Sequence, residues 1–220
     1  MMDWKKLQGI LQGDAPHEAL KAMWEDGRMA DELPEVAALF GVPQSGKYHP
    51  EGCAGEHTLL CMKIACQLTD DPLVRFAVLV HDLGKAETPA EMLPKHHNHD
   101  KRGVPLVDRL CRRLNAPDEY RIFARKAAEW HMFAHVVREV RPAKFVGLFN
   151  AFGALKDDAD FGRFLLVCEA DARGRAGHEN DAFPEGPYMR AMLKEARERV
   201  GDAPYDPNRH RLSGKYCSKP

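Results

Sequence analysis

The segment LVRFAVLVHDLGK, residues 73–85, constrains the fold most. Its first eight positions are apolar on nearly every face, with Arg75 the exception. Asp71 and Pro72 stand before it as an N-cap and a first-turn proline, and Gly84 closes it. A helix apolar all round must be enclosed by others, so it is predicted to be the central helix of a bundle. His81 and Asp82 sit at the end of that helix. A buried ionised carboxylate there needs a partner. Two readings fit the dipeptide alone: a His–Asp hydrogen bond without metal, or a shared cation. Neighbouring residues do not share a helix face. Both side chains reach one ion only if it lies beside the helix end, with other helices supplying the remaining ligands.

The rest of the chain also has helical periodicity. A helix is predicted from Asp14–Pro16 to Gly27, and a short element over 35–40. The Gly/Pro-rich stretch GVPQSGKYHPEGCAG, residues 41–55, reads as a loop. Leu60, Ile64 and Leu68 recur at helical spacing in a helix predicted over 55–68, with His57 in its first turn. After a polar loop over 87–97, helices are predicted at 101–114, 117–131, 142–149, along FGRFLLVCEADARGR, and at 188–200. No strand pattern or repeat stands out. The expected architecture is all-α, with a helical lead-in over 1–45, the main bundle over 46–200 and an irregular tail over 201–220.

The 220 residues carry a net charge of −1, without the basic excess usual in a dedicated nucleic-acid binder. A local run (Lys101, Arg102, Arg109, Arg112, Arg113, Arg121, Arg125, Lys126) reads as a solvated helix face in preference to an RNA track. No apolar run reaches membrane-spanning length, and no signal peptide is read at the N-terminus. The six cysteines show no CxxC spacing and sit mostly in apolar helical context. They are expected to be reduced, in a cytoplasmic setting, and cysteine ligation of zinc is not expected.

Further histidines tilt the His81–Asp82 pair towards metal: His57, the HHNH run, and His131, together with Asp171. The ordered set His57, His81–Asp82, Asp171 resembles the H…HD…D signature of the HD superfamily of metal-dependent phosphohydrolases. The stretches GVPQSGKYHPEG, HTLL, RFAVLVHDLGKAETP, LPKHHNHDKRGV and EADARGR, with the lead-in over 15–43, are similar to the HD domain of bacterial multifunctional CCA-adding tRNA nucleotidyltransferases. The similarity runs over roughly 14–180. The Gly-rich loop and catalytic aspartates of a nucleotidyltransferase domain are not seen before it. The resemblance therefore implies an all-α HD bundle with 2′,3′-cyclic phosphodiesterase, 2′-nucleotidase and phosphatase activity, and does not imply CCA addition.

It also implies His57, His81, Asp82 and Asp171 as metal ligands. Imidazole and carboxylate donors suit Ni, Mn, Co, Fe or Zn better than Mg. Asp82, Lys85, His99 and His131 are the expected catalytic residues. Lys85, His99, His131, Arg173 and Arg175 are candidate contacts to phosphate or substrate. Plainer readings stand beside these: Lys85 facing a helix C-terminus, a basic helix end at Arg173 and Arg175, and His96, His97 and His135 at the surface or behind the site. A second ion at His99 and His131 is less favoured than a single one. The expected substrate is a small nucleotide or an RNA 3′ end, with no membrane partner. The alternatives are an HD nucleotide phosphatase acting on 5′-nucleotides and a non-catalytic module that binds nucleotide or RNA.

Overall fold

The computed structural model describes residues 2–200; the expected tail over 201–220 lies outside them. The described residues form twelve α-helices and two short 3-10 turns. The one departure from all-α character among them is a single antiparallel bridge between Pro43 and Cys53, which closes the Gly/Pro loop on itself.

Helix α6, Pro72–Val80, is the centre, as its composition predicts. Val74 and the run Phe76 to Val80 are buried, each large side chain stabilising the fold by about 1.5–3 kcal/mol. Asp71 caps it, accepting from the Leu73 amide at 2.9 Å, and Pro72 occupies its first turn. Arg75 is also buried, and its guanidinium is satisfied by the carbonyls of Leu11, Gly13 and Thr69 and by Asp70. Those contacts tie the start of the chain to the centre. A helix not predicted from the sequence begins there: α1, Trp4–Leu11, capped by Asp3. It buries Trp4, Leu7 and Leu11, spaced as one helix face, and Trp4 packs edge-on against Phe76.

Next come α2 (Pro16–Glu25), ended by Gly27 at φ +82°, and the short α3 (Arg28–Glu32) and α4 (Pro34–Ala37). Together α3 and α4 replace the single element expected over 35–40, with Leu33 and Pro34 breaking the run. Helix α5, Ala54–Leu68, packs on α6 and α2. Helix α7, His99–Leu114, starts two residues earlier than expected, from Asn98 in the left-handed conformation. Helices α8 (Asp118–Trp130), α9 (Met132–Val136), α10 (Pro142–Ala151), α11 (Ala159–Arg173) and α12 (Glu185–Val200) complete the bundle. One continuous apolar core runs from Met2 to Ala196. Among the described residues, no helix is long and apolar enough to cross a membrane.

Four of the eight basic residues named over 101–126 form ion pairs. Arg109 meets Glu87, Arg113 meets Glu35, Arg121 meets Asp108 and Asp118, and Arg125 meets Asp108. That agrees with a solvated, ion-paired face.

Candidate metal centre

Breaks between helices aim the chemistry. Helix α6 stops at Val80, and the chain tightens into a 3-10 turn over Leu83–Glu87. His81 and Asp82 fall in the junction, where the change of pitch lets adjacent side chains converge. His131 occupies the junction of α8 and α9. His99 opens α7, which a missing side chain brings close: a Cβ on Gly84 would lie 2.0 Å from the carbonyl oxygen of His99. Gly174, just past α11, likewise presses against Cys61 on α5, bringing Asp171 beside His57.

His57, His81, Asp82 and Asp171 come together, all 5 % exposed or less. His57 Nε2 lies 3.1 Å from Asp171 Oδ1 and 3.7 Å from Asp82 Oδ2. His81 Nε2 lies 3.3 Å from Asp82 Oδ2 and 3.7 Å from Asp171 Oδ1. The other oxygen of Asp82 turns to a second group, 3.1 Å from His99 Nε2 and 3.6 Å from His131 Nε2. Asp82 thus stands between two clusters of donor atoms.

The histidines are oriented from behind. Nδ1 of His81 donates to the carbonyl of Val78 at 2.7 Å, that of His99 to His96 at 2.8 Å, and that of His131 to Ala128 at 2.8 Å. With Nδ1–H fixed on a carbonyl, each ring turns Nε2 to the site. His81 Nε2 and both oxygens of Asp82 are buried without a well-aligned hydrogen bond. Electron-rich atoms so gathered and so poorly satisfied fit a divalent cation.

Charge follows the same logic. Burial works against ionisation of Asp82, but His81, Lys85 and His131 hold its carboxyl well below the usual range. Asp171 is held low in the same way, against burial, by His135, His57 and His81. Burial, with His81 and His99 nearby, pushes His131 down.

Of the remaining candidates, Arg173 and Arg175 stand away from the cluster and the others lie at it, behind it or at the surface. Lys85 is buried and points inward: Nζ lies 2.5 Å from Asp82 Oδ2 and donates to Gln44 Oε1 at 2.6 Å. Arg173 and Arg175 turn away. Arg173 binds Glu169, one turn back on α11, and the carbonyl of Glu179, while Arg175 folds onto the Ala172 carbonyl. Arg175 thereby supplies a donor to the end of α11, whose last carbonyls need them, and neither arginine enters the cluster. His135 orients Asp171, donating to Oδ2 at 2.9 Å. His96 pins the loop to the Pro43 carbonyl, and His97 is exposed.

Other residues at the site were not singled out from the sequence. Glu51 Oε1 lies 3.0 Å from His57 Nδ1 and 2.9 Å from His49 Nδ1, while Oε2 accepts from the Ala176 amide. Gln44 holds Lys85. Cys61, one turn after His57, brings its thiol to 3.3 Å from His57 Nε2. The only available signal was position: Gln44 and Glu51 are polar residues in a Gly/Pro loop leading directly into a ligand-bearing helix. A recess of about 460 Å³ near Trp130, Met132, Phe133 and Lys144 has no cluster residue in its wall.

The HD-domain family profile matches residues 54–197, which include all four expected ligands. Curated relatives are similar along most of the chain. The Multifunctional CCA protein of Alkalilimnicola ehrlichii is 43 % identical over 193 residues, covering 88 % of this chain and 47 % of that protein. The Multifunctional CCA proteins of Nitrosococcus oceani and Thioalkalivibrio sulfidiphilus are each 42 % identical, covering 88 % and 86 % of this chain and 48 % and 46 % of theirs. The chain thus spans about half the length of these relatives.

Proposed function

Since the chain belongs to the HD-domain family, a family of metal-dependent phosphohydrolases, we propose that it hydrolyses nucleotide phosphoesters, with a 2′,3′-cyclic phosphate on a small nucleotide or an RNA 3′ end as preferred substrate and 2′-phosphates as further ones. The observation that supports this most is the convergence of His57, His81, Asp82 and Asp171 in a buried site with unsatisfied donor atoms. A divalent ion held there, of the Mn, Fe, Co, Ni or Zn type, supplies an activated water and polarises the phosphoryl oxygen.

The chain's own residues do the rest. His57, His81 and Asp171 hold one side of the site, and Asp82 faces both the ligand group and the His99–His131 pair. His99 Nε2 and His131 Nε2 lie 3.0 Å apart, and each ring has already committed its Nδ1–H. A single proton between the two nitrogens relieves the opposition of lone pairs. That proton is placed to pass to the leaving ribose oxygen as general acid. Lys85 keeps one N–H beyond its contacts with Asp82 and Gln44, and offers it to a phosphate oxygen. Opening a five-membered cyclic phosphate requires only these elements, so a small site suffices without recognition of a whole tRNA.

A second reading has its own support. Asp82, His99 and His131 form a three-donor group that fits a second ion as well as a shared proton. Metal analysis separates the two, since the proton reading expects one ion per chain.

The activity test compares 2′,3′-cyclic AMP, 2′-AMP and an aryl phosphate with 3′,5′-cyclic AMP and 5′-AMP, after chelation and after return of each divalent ion. Turnover of the 2′-linked substrates, restored best by a transition ion, is expected. Rapid hydrolysis of 5′-AMP with none of the cyclic 2′,3′ substrate would assign the chain to a 5′-nucleotide phosphatase. Tight nucleotide binding without turnover in any ion would leave a binding module.

A further inference from the structure

We propose that Cys61 is a direct metal ligand through its sulfur, so that the ion at the candidate centre is held by Cys61 beside His57, His81, Asp82 and Asp171 in a mixed nitrogen, sulfur and oxygen set. This rests on the reading that the cluster holds a divalent ion, and it names a donor outside the H…HD…D pattern.

The position follows from α5. His57 and Cys61 are four residues apart on one helix and so share a face. Both are fully buried. The ligand atoms of His57, Cys61, His81 and Asp171 all lie within 4.8 Å of one another. Zinc bonds of about 2.3 Å to sulfur and about 2.0–2.1 Å to nitrogen or oxygen, at tetrahedral angles, put ligand atoms roughly 3.4–3.6 Å apart. The corresponding distances are 3.3 Å for Cys61 Sγ to His57 Nε2, 3.1 Å for His57 Nε2 to Asp171 Oδ1, and 3.7 Å for His81 Nε2 to Asp171 Oδ1. They bracket the spacing of donor atoms that share one ion.

Hydrogen bonding fills the group only with a doubly protonated His57 and a long thiol contact of 3.9 Å. Nδ1 of His57 faces the Glu51 carboxylate and carries its proton there. Nε2 faces both the Cys61 thiol and the Asp171 carboxylate. If Nε2 holds a proton for Asp171, the thiol proton is left with the Gly174 carbonyl, 3.9 Å from Sγ, as its acceptor. If the thiol donates to Nε2, a carboxylate oxygen faces a lone pair at 3.1 Å. A cation at the common focus satisfies all three groups. Independently, His81 Nε2 is buried without a hydrogen-bond partner and belongs to the same group. On binding, Cys61 releases its thiol proton to solvent and ligates as thiolate. A thiolate donor shifts preference from manganese towards zinc.

The test loads the full chain, freed of metal, with cobalt(II). Ligand-field bands in the visible report that cobalt sits in a protein site. A sulfur-to-cobalt charge-transfer band in the near ultraviolet reports a thiolate ligand. Both are expected in the native chain. The charge-transfer band should vanish in Cys61→Ser and Cys61→Ala, and persist in Cys168→Ser, which alters a buried thiol on the neighbouring helix α11. Zinc affinity relative to manganese should fall at least about tenfold in Cys61→Ser, because loss even of groups behind the ligands costs roughly 10- to 100-fold. Ligand-field bands without charge transfer in the native chain, or charge transfer that survives both Cys61 substitutions, overturns the proposal and leaves the metal centre standing. Absence of any cobalt binding removes the metal centre and the proposal with it. X-ray absorption on the zinc-loaded native chain gives an answer even if the variants misfold: a sulfur shell at about 2.3 Å is expected, and a shell of nitrogen and oxygen alone overturns the assignment.

Discussion

The Nε2 atoms of His99 and His131 face each other at 3.0 Å, while both Nδ1–H groups are committed to carbonyls one turn back in the chain. Two neutral rings so fixed oppose lone pair to lone pair. Something positive belongs between them, and a shared proton is the smallest candidate. His131→Ala should therefore cut turnover by about 10²- to 10⁴-fold, the usual worth of a general acid, and leave one ion per chain by metal analysis. A native chain holding two ions, falling to one in His131→Ala, would replace the proton by a second metal.

Close backbone approach makes a separate, structural test. A Cβ on Gly84 meets the His99 carbonyl at 2.0 Å and the Gly103 amide nitrogen at 2.5 Å. Both are backbone atoms that cannot rotate aside. Gly84→Ala should cost about 1–3 kcal/mol as overpacking, a loss of roughly 2–12 °C in Tm for a chain of this size. Activity should fall further than stability accounts for, because His99 moves with α7. Gly103 is the control: its added Cβ would find no neighbour nearer than 3.5 Å. Gly103→Ala, inside a helix, should be neutral or stabilise by about 0.5–1 kcal/mol. Equal thermal stability for the two variants would contradict this account of how α7 is seated.

The difference between what the sequence reveals and what it hides follows the range of the interactions. The central helix was legible because Asp71–Pro72 caps it, apolar side chains surround it and Gly84 ends it, all local signals. His57, His81, Asp82 and Asp171 were legible through their order along the chain. Helix α1 was not, since its Trp4, Leu7, Leu11 stripe is short and gains meaning only against Phe76 and Tyr120. Cys61 was set aside because the cysteines show no CxxC spacing, yet its neighbours at the site arrive from the end of α6 and from α11. Glu51 and Gln44 act across a loop whose closure depends on the Pro43–Cys53 bridge. Arg173 and Arg175 carried the right chemistry for phosphate, but Glu169 and the open carbonyls at the end of α11 hold them first.

Glu51 fixes the His57 tautomer from behind, so Glu51→Gln should weaken the ion about 10- to 100-fold without unfolding the chain. The amide can still accept from the Ala176 backbone but exerts less pull on the imidazole proton. Direct titration of the metal-free variant by calorimetry is the measurement. Unchanged affinity would make Glu51 a loop brace only.

Ion binding should tighten as pH rises. In the metal-free chain, burial opposes charge on His57, but Cys61, Asp171 and Glu51 outweigh it and raise its pKa well above the ordinary histidine value. His81 is raised in the same sense, against burial, by Asp82 and Asp171. An incoming cation must displace those protons. Affinity is therefore lowest where both rings are protonated and increases through neutrality. The gain in Tm on adding the ion should be smaller at about pH 6 than at about pH 8, as linkage requires. Calorimetry in buffers of different ionisation enthalpy should detect proton release on binding. A gain in Tm that does not change with pH would contradict the placement of the ion on these two imidazoles.

Lys85 offers the sharpest separation of roles, because it shares an oxygen with the proposed ion. Its ammonium lies 2.5 Å from Asp82 Oδ2, the oxygen that also faces His57 and His81. A fixed positive charge there repels a cation entering the cluster. Removing it should tighten binding of the ion, and Lys85→Met does so while keeping an unbranched stem for the pocket. If the same ammonium also contacts the phosphate, turnover should fall by about 10²-fold or more even with the site fully loaded, as for loss of one donor to a developing oxyanion. The expected signature is thus opposite in sign for the two measurements: a lower Kd for manganese or zinc and a lower kcat. A lysine that merely positions Asp82 gives another pattern, since a released carboxylate swings out of register and both quantities worsen. Gln44→Leu checks the same geometry from the other side. It removes the acceptor at 2.6 Å and draws Lys85 more firmly onto Asp82, so the ion should bind more weakly than in the native chain. Tighter binding in Gln44→Leu, or weaker binding in Lys85→Met, would show that Lys85 and the ion do not compete for Asp82.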